Sequence, residues 1–296
     1  MRAAAILGLG SGEADLRPFQ KGSDAAWLIG MPGSANEADV ILIFGGDGTV
    51  HRHLPQLARL QLPVLIVPRG SGNDFARALN LRSVADSRRA WKKFCAGGGN
   101  VRTIDLGVIR PMEPGAAGQS SEHFFCCVAG VGLDAAVARR ANQLPRWLRG
   151  HGGYVLSLPP ALFKFAPLSM KISVTDGERA GEFVTRSAKP TVLVAFANAP
   201  AYGGGMKIAP RAELDDGKLE ICLVRDMDKF KLFCLFPTVY FGRHLNKREV
   251  EYFQAERLRV ETEKPLDVYA DGEYVCRTPI EVSVARRAMK VITIAS

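Results

Sequence analysis

Two glycine-rich segments follow apolar runs within the first 75 residues, and they carry residue types that bind phosphate. GGDGT (residues 45–49) follows VILIF, and GSGND (residues 70–74) follows PVLIVPR. Glycine lets a backbone approach a ligand closely, and the N–H groups of such a loop point at anions, aided by a following helix N-terminus. The chemistry indicated is phosphate binding. The alternative is a tight strand-to-helix turn in which Asp47 only bonds the backbone.

Candidate ligand-binding residues lie in both loops and in a third turn. Asp47 is suited to a Mg²⁺ ion on nucleotide phosphates, and Thr49 to capping the helix or bonding a phosphate oxygen. GLGSGE follows the first apolar run, where either a phosphate-facing turn or a plain turn fits. No Gly-Lys-Ser/Thr follows GGDGT, which excludes a Walker A loop. The nucleotide-binding candidates are Gly45, Gly46, Asp47, Gly48, Thr49, Gly70, Ser71, Gly72, Asn73, Asp74, Gly10 and Ser11.

Two acidic Asp-Gly segments lie later in the chain. They are Asp215-Asp216-Gly217 and Asp271-Gly272-Glu273. Taken alone, each Asp-Gly pair predicts a hairpin turn. The same carboxylates could also accept a proton or bind a hard metal ion.

The first ~125 residues have the pattern of an α/β domain. Four short apolar runs, AAAILGLG, AAWLIGM, DVILIF and PVLIVP, end in or near Gly or Pro and predict parallel strands buried on both faces. The segment at residues 85–97 predicts an amphipathic helix with Ala90, Trp91 and Phe94 on its apolar stripe. Loops at the carboxyl ends of neighbouring strands would form one crevice, where such sheets bind ligands.

From about Val101 the chain predicts mostly strands separated by Asp-Gly turns. PIEVSVA and KVITIA are taken as the last two strands, and helices are expected near residues 135–148 and 229–241. The prediction is a parallel, Rossmann-like nucleotide-binding domain (residues 1–122) and a β-rich, sandwich-like domain (residues 123–296). The last strand of the second domain could return to the first.

Composition limits the class of protein. The chain has 296 residues, a net charge of +9 and 47% hydrophobic residues, which is globular composition with attraction to anionic partners. No basic–aromatic motif indicates nucleic-acid binding. The six cysteines form no CxxC pair and predict reduced, mostly buried thiols of a cytoplasmic protein, with adjacent Cys126 and Cys127 on opposite faces of a strand. No run reaches the ~18 apolar residues of a membrane span.

The order of the motifs resembles the diacylglycerol kinase catalytic domain of bacterial lipid kinases, in the superfamily of sphingosine and ceramide kinases. GGDGT is followed by PRGSGNDFAR (residues 68–77), VAGVGLDAAVA (residues 128–138) and ADGEY (residues 270–274). Residues 194–224 are similar to the family's Asn…GGG…Pro…DDG segment. The likeness covers nearly the full length.

The resemblance implies a two-domain lipid kinase with ATP in the cleft between its domains. Gly46, Asp47, Gly48, Thr49 and Ser71 would line the nucleotide site. Asp271 and Glu273 would face the γ-phosphate, and either would take the proton from the lipid hydroxyl while Mg²⁺ offsets negative charge. Asp47, Asp271 and Glu273 are therefore the catalytic candidates.

A structural Mg²⁺ is also implied by the resemblance, near the Asp215-Asp216-Gly217 turn. Asp215 and Asp216 would supply carboxylates, and backbone carbonyls near Glu213 and Lys218 would complete the oxygen ligands. A solvated turn is the alternative.

The chain departs from the family after GGDGT. Family members usually carry Asn-Glu where this chain has His51-Arg52. His51 and His53 are interpreted as surface histidines beside a phosphate site rather than a metal pair. Pro55 predicts a distorted first helical turn or a later start. The usual Asn-Pro opening is replaced by GLGSGEADLRPF.

A lipid substrate requires contact with a membrane surface. Residues 139–165 mix arginines with aromatic and aliphatic residues, which fits either an anionic interface or an ordinary packed helix. Residues 230–245 are a second candidate. We expect a cytoplasmic, peripherally associated protein, and an exposed strand edge would allow two copies to pair.

Two other functions stay open. NAD kinases also use a GGDGT loop, so a kinase with a soluble substrate is one alternative, although GSGNDFAR and the late DGE favour the lipid group. A non-catalytic lipid- or nucleotide-binding protein, which has lost turnover with the Asn-Glu pair, is the other.

Overall fold

The structure is a computed structural model that describes residues 1–21, 23–113, 122–143, 161–162, 165–175 and 181–294. The chain divides into two compact units, Met1–Asp105 with Arg286–Ser296, and Leu106–Ala285. The division falls inside a strand rather than at the expected residue 122, because the later half of that strand pairs within the second unit. The expected loop tip at residues 114–121, the Asp176-Gly177 turn and most of residues 139–165 lie outside the described residues.

The first unit is built on a parallel sheet, as the continuous apolar runs predict, but the strand formed by the AAWLIGM run is mostly exposed rather than buried on both faces, because it lies at the edge of the sheet. Strand β1 pairs with both β2 and β3, and β3 pairs with β4, each in parallel. The four strands are β1 (Arg2–Leu7), β2 (Ala26–Ile29), β3 (Val40–Gly45) and β4 (Pro63–Pro68). The end of the last strand of the chain adds a further parallel partner beside β4.

Each helix of the first unit follows a strand or loop that it packs against. Helix α4 begins at a Ser83 cap, whose side chain accepts from Asp86 N–H, and it buries Ala90 and Trp91. The Trp91 indole donates to the carbonyl of Phe19 at 2.9 Å and so ties α4 to α1. The helices are α1 (Glu13–Gln20), α2 (Asp47–Leu60), α3 (Asp74–Ala78) and α4 (Val84–Cys95).

Strands of the second unit form two antiparallel groups around one apolar core. One group has the order β12-β11-β10-β7-β14-β15, and the other contains β8, β9, β13, the first part of β16, and the β5–β6 pair. Buried side chains from both groups, among them Phe196 and Val260, share one cluster, so this unit is the expected β-sandwich. Beginning with β5 (Val101–Pro111), the strands are β6 (His123–Phe125), β7 (Val128–Gly132), β8 (Leu168–Thr175), β9 (Phe183–Ser187), β10 (Pro190–Ala197), β11 (Leu219–Arg225), β12 (Val250–Ala255), β13 (Arg257–Thr262), β14 (Asp267–Ala270), β15 (Glu273–Arg277) and β16 (Ile280–Ile292).

Two helices with assigned bounds lie among the described residues of the second unit. Helix α5 (Leu133–Gln143) follows β7, and α6 (Lys229–Val239) follows β11. Asp228 caps α6, because its carboxylate accepts from the N–H groups of Phe230 and Lys231. A short 3₁₀ turn (Arg243–Asn246) comes next. None of the helices in the described part of the chain has the length and apolarity needed to cross a bilayer.

Two expectations about the late strands are wrong. PIEVSVA and KVITIA are one strand, β16, in which Arg287 takes a positive φ of 52°. The buried carboxylate of Asp105 accepts from Arg287 N–H at 2.6 Å, so the irregular residue is held in place and the strand continues. The sequence did not predict strand β12. Charged residues lie beside it and a single residue separates it from β13, so no turn signal marks its ends.

Pro55 does not delay or shorten its helix. Helix α2 begins at Asp47 and runs past Pro55 to Leu60. Leu54 and Leu57 are buried on either side of the proline, so packing of the apolar face outweighs the loss of one main-chain donor. The prediction that Pro55 distorts the first turn of this helix or delays its start is therefore wrong.

Candidate active site

The loops after β1, β3 and β4 meet at one edge of the parallel sheet. In the strand order β4-β3-β1-β2, the two strands that follow β1 in the chain lie on opposite sides of it: β2 on one side and β3 on the other. Open α/β sheets bind ligands at such a reversal, outside the carboxyl ends of the strands. The turn at Gly10 and Ser11 and the two glycine-rich loops therefore lie together at the carboxyl ends of these strands, where the sequence predicts a crevice.

The two glycine-rich loops touch through their backbones. A Cβ atom on Gly46 would lie 2.8 Å from the Cα of Gly70, and one on Gly70 would lie 2.5 Å from the Cα of Gly46. Such distances are far inside van der Waals contact, so both positions need glycine. The loops are thereby held as one surface, with Gly46 as the N-cap of the 14-residue helix α2.

Asp47 joins the loops with its carboxylate. Oδ2 accepts from Asp74 N–H and Oδ1 from Phe75 N–H, each at 3.0 Å, so Asp47 caps the first turn of α3. A Cβ on Gly72 would come within 2.9 Å of Oδ2. Asp47 thus bonds the backbone, as the alternative of a tight strand-to-helix turn predicts, and in doing so it joins the two loops.

Asn73 and Asp74 shape the second loop. Asn73 has a positive φ of 52°, and its side chain both accepts from Gly70 N–H at 2.9 Å and donates to Gly70 C=O at 2.6 Å. Buried Asp74 pairs with Arg77 at 2.9 Å. Ser71 is exposed between the glycines, where its hydroxyl is open to a ligand.

Thr49 and Ser11 belong to the segments that follow β3 and β1. Thr49 lies in the first turn of α2, and its Oγ1 would be 2.5 Å from a Cβ on Gly45, so the glycine makes room for the threonine. Among the described residues, the buried Oγ of Ser11 has no hydrogen-bond partner. Gly10 has a positive φ of 83° and is exposed. Gly48 lies in the first turn of α2.

His51 and His53 lie on α2, where residues two apart point to different sides. Both are half-buried rather than on the surface as expected. Burial and the neighbouring Arg52 lower the pKa of His53. The interpretation of the two as separate histidines rather than a metal pair stays a prediction.

The acidic turn of the second unit is a hairpin between β14 and β15 with an anchored carboxylate. Asp271 and Gly272 have positive φ angles of 50° and 88°. The Asp271 carboxylate accepts from the N–H groups of Cys127 at 2.8 Å, Cys126 at 2.9 Å and Val128 at 3.2 Å. Glu273, two residues on, is exposed at the start of β15. The two catalytic candidates therefore have different surroundings: Asp271 is fixed and Glu273 faces solvent.

Cys126 and Cys127 do not point to opposite faces of a strand. They lie in a bend between β6 and β7, where the chain turns its N–H groups toward Asp271. One atom of each cysteine and of Asp271 lies within 4.8 Å of the others, the one metal-capable cluster among the described residues. Two sulfur atoms suit a soft ion such as Zn²⁺ better than Mg²⁺. All six cysteines are free thiols; Cys95 and Cys234 are exposed.

In the Asp215-Asp216-Gly217 turn, the two aspartates are exposed and Gly217 is buried. Asp216 accepts from Lys218 N–H at 3.0 Å, which is the pattern of an aspartate turn. Glu213 is also exposed, so the carboxylates of this segment are open to water. The structural Mg²⁺ implied here stays a prediction.

Asp134 was not among the predicted site residues, although it lies within the quoted VAGVGLDAAVA segment. It is buried at the start of α5 and accepts a short hydrogen bond from the hydroxyl of Tyr202. Burial raises the pKa of Asp134 to about 6, and the Tyr202 bond partly opposes the rise. A Cβ on Gly130 would lie 2.3 Å from Asp134 Oδ2, so the glycine leaves space for the carboxylate.

Asp134 and Tyr202 line an apolar cavity of about 50 Å³ within the second unit. His244 also lines it, fully buried, with Nε2 at 3.1 Å from the carbonyl of Ile208. Because Nε2 must donate to that carbonyl, Nδ1 is an acceptor, and it has no partner among the described residues. The remaining lining is Leu133, Val137, Leu162, Leu193, Met206, Ile208, Val224, Leu232, Leu235, Phe236 and Val239.

Comparison with known proteins agrees with the division into two units. Residues 11–109 match the diacylglycerol kinase catalytic domain, and residues 127–293 match the YegS C-terminal NAD kinase beta sandwich-like domain. A putative diacylglycerol kinase from Bacillus anthracis has the same fold, with a TM-score of 0.72 at 20% identity over 99% of this chain and 96% of that one.

Curated relatives are similar over most of their length. The diacylglycerol kinase of Mycobacterium tuberculosis is 34% identical over 258 residues, covering 87% of this chain and 78% of the relative. The probable YegS-like lipid kinase of Chromohalobacter salexigens is 28% identical, covering 87% and 76%. These matches agree with the order of the glycine loops and the acidic turn along the chain. This chain belongs to the diacylglycerol kinase family of lipid kinases.

Proposed function

We propose that this protein transfers the γ-phosphate of ATP, with Mg²⁺, to a hydroxyl group of diacylglycerol or a similar lipid. The observation that carries the choice of a lipid acceptor is the apolar cavity of the second unit. Eleven of its fourteen lining residues are hydrocarbon or thioether side chains or Phe, so the lining suits an apolar group, and the volume of about 50 Å³ takes a short piece of an acyl chain rather than a dinucleotide. The kinase class itself follows from the family.

The cavity also carries polar groups suited to a lipid head. Asp134 and Tyr202 form one hydrogen-bonded pair, and the Nδ1 atom of His244 is a buried acceptor without a partner among the described residues. A buried acceptor is costly unless something donates to it. A hydroxyl group or a water molecule beside the lipid would satisfy it.

The nucleotide would bind at the glycine-rich loops of the first unit. Gly46 and Gly70 allow phosphates to approach the backbone, the N-terminus of α2 supplies partial positive charge, and Ser71 offers an exposed hydroxyl. The buried Oγ of Ser11 is a further donor for this ligand. Mg²⁺ supplies positive charge that offsets the β- and γ-phosphates. Asp47 is the loop carboxylate suited to it, because Mg²⁺ prefers oxygen ligands.

The reaction balances as a simple phosphoryl transfer. The lipid hydroxyl oxygen forms a bond to the γ-phosphorus, the bond from that phosphorus to the β,γ-bridging oxygen breaks, and ADP leaves. The hydroxyl proton passes to a carboxylate, for which Glu273 and Asp271 are the candidates.

Transfer from ATP to a panel of diacylglycerol, phosphatidylglycerol, ceramide, sphingosine, undecaprenol and NAD tests the proposal. We expect transfer to one lipid. A Val239→Phe variant places a ring in the cavity, and we expect kcat/KM for long-chain diacylglycerol to fall about tenfold or more, because the ring occupies the space that the lipid would enter. The matched control is Val184→Phe at an exposed position of β9.

Two results would replace the proposal. Preferential transfer to NAD would assign a soluble substrate. ATP binding without transfer to any acceptor would assign a binding protein, and His51-Arg52 would then mark the loss of turnover. Equal activity of the Val239→Phe variant and the wild type would remove the cavity from the substrate site.

A further inference from the structure

Helix α6 is apolar on two opposite sides. Its inner side places Leu232, Leu235 and Val239 against the cavity described above. On its outer side, Phe230 is 72% exposed and Phe233 is 43% exposed. An amphipathic surface helix normally has one apolar stripe, which faces the core. A second apolar stripe on the opposite side of a helix indicates a second apolar partner there. The cavity and core supply one of these surroundings.

The exposed phenylalanines form one stripe. Phe230, Phe233, Pro237 and Phe241 recur every three or four residues, which places them along one face of α6 and its C-terminal extension. Phe241 is 74% exposed. Phe230, Phe233 and Phe241 form a group among the large apolar side chains that are exposed in the described part of the second unit. The other exposed large apolar side chains of that part are Met112, Val184 and Tyr274. A grouped set marks a binding surface more strongly than single exposed residues.

The same stretch is basic. Residues 229–248 contain five Lys or Arg and no Asp or Glu. All five are exposed: Lys229, Lys231, Arg243, Lys247 and Arg248. Aromatic rings beside cationic side chains, without acidic residues, are the composition of helices that lie in an anionic lipid interface.

We propose that α6 is the membrane-docking helix of this protein, with Phe230, Phe233 and Phe241 inserted between anionic lipids and the flanking Lys and Arg residues on the headgroups. The proposal deepens the proposed lipid kinase function, because the substrate resides in the bilayer. Since the inner side of α6 lines the apolar cavity, docking places one helix between the bilayer and the substrate site. A lipid chain would then reach the cavity by passing beside α6 without crossing bulk water.

Cys234 gives a direct test, since it is exposed on the outer side of α6. In a Cys95→Ser background, Cys234 is the exposed thiol of the described residues and takes an environment-sensitive fluorophore. We expect its emission to shift to the blue on vesicles of phosphatidylcholine with phosphatidylglycerol, and not on phosphatidylcholine alone. The control carries the fluorophore on Cys95 in a Cys234→Ser background, and it should show no shift.

Vesicle co-sedimentation measures the contribution of the side chains. We expect Phe230→Ser/Phe241→Ser to weaken binding to the anionic vesicles about tenfold or more, since the loss of each ring removes apolar surface that would be buried in the bilayer. Ile29→Ser/Val184→Ser, which also changes two exposed apolar residues, should bind like the wild type. Lys229→Glu/Lys231→Glu should weaken binding at low salt and less at high salt, whereas Arg82→Glu/Arg88→Glu should not.

Activity separates this inference from the proposed function. We expect the Phe230→Ser/Phe241→Ser variant to phosphorylate a water-soluble, short-chain diacylglycerol like the wild type and to lose activity only on vesicles. Wild-type vesicle binding by that variant would overturn the docking proposal. Conversion of a dimer into a monomer, with unchanged vesicle binding, would also overturn it and assign the surface to a second copy. Phenylalanine-dependent binding by a protein that phosphorylates no lipid would support docking and refute the kinase.

Discussion

Gly46 and Gly70 are in backbone contact, so that a methyl group on either would meet the Cα of the other at 2.8 or 2.5 Å. The contact joins the loop after β3 to the loop after β4, and Asp47 reinforces it by capping α3. The two glycine-rich motifs are therefore one structural unit.

Gly46→Ala and Gly70→Ala should each separate the loops. Because the new methyl group meets backbone and not a flexible side chain, we expect a loss of about 1–3 kcal/mol in the free energy of unfolding. ATP affinity should fall in parallel, as measured by titration calorimetry. Gly33→Ala is the control for stability, since Gly33 is exposed, lies outside the positive φ region and would bring its methyl group only to the end of the flexible Glu37 side chain, at 3.2 Å. Wild-type stability of both variants would show that the loops do not need this contact.

Asp47→Asn should weaken the cap of α3. An amide keeps one acceptor oxygen but turns its NH₂ group toward a second N–H donor, so we expect a loss of about 1.5–3 kcal/mol in urea unfolding. Asp24→Asn changes an exposed aspartate and should have little effect. If Asp47→Asn keeps full stability and loses only Mg²⁺-dependent ATP binding, the main contribution of the carboxylate is to the metal.

Glu273→Gln and Asp271→Asn should have different consequences. Asp271 accepts from three main-chain N–H groups, so its replacement should lower both Tm and phosphate transfer. Glu273 is exposed, and its replacement should leave Tm unchanged and remove transfer if it is the base. Full transfer by Glu273→Gln would leave Asp271 as the base candidate.

Asp134 should make stability depend on pH. Its pKa in the folded protein is about 6, above the ordinary value of 3.8, so the folded state binds the proton more tightly than the unfolded state. The contribution of Asp134 to the free energy of unfolding should therefore be most favourable below pH 4 and should decline as the pH rises through 6. The decline corresponds to about 3 kcal/mol at 1.36 kcal/mol per pKa unit.

Asp134→Asn keeps the acceptor for Tyr202 and should remove this dependence. Urea unfolding of both proteins between pH 4 and pH 8 measures the difference. Cys222 and His244 lie near the same carboxylate or cavity; burial raises the pKa of Cys222 to about 12 and lowers that of His244. Equal pH profiles for variant and wild type would show that Asp134 titrates as an ordinary carboxylate.

Several elements were predictable because their signals are local. The apolar runs of β1, β3 and β4 and the glycine loops after them read as strand-to-helix turns from neighbouring residues alone. Late strands were less clear: β12 has charged neighbours, and β16 is held through its irregular Arg287 by Asp105, which is 182 residues away. No local pattern reports such a partner.

By itself, the sequence determined the α/β and β-rich units, the motif order and the family likeness, since each depends on periodicity or on residues a few positions apart. Only the tertiary structure decided the contact of Gly46 with Gly70, the anchoring of Asp271 by residues about 145 positions away, and the cavity around Asp134. Strand order and packing bring such residues together. A side chain's partners, burial and pKa therefore depend on elements that its own segment does not encode.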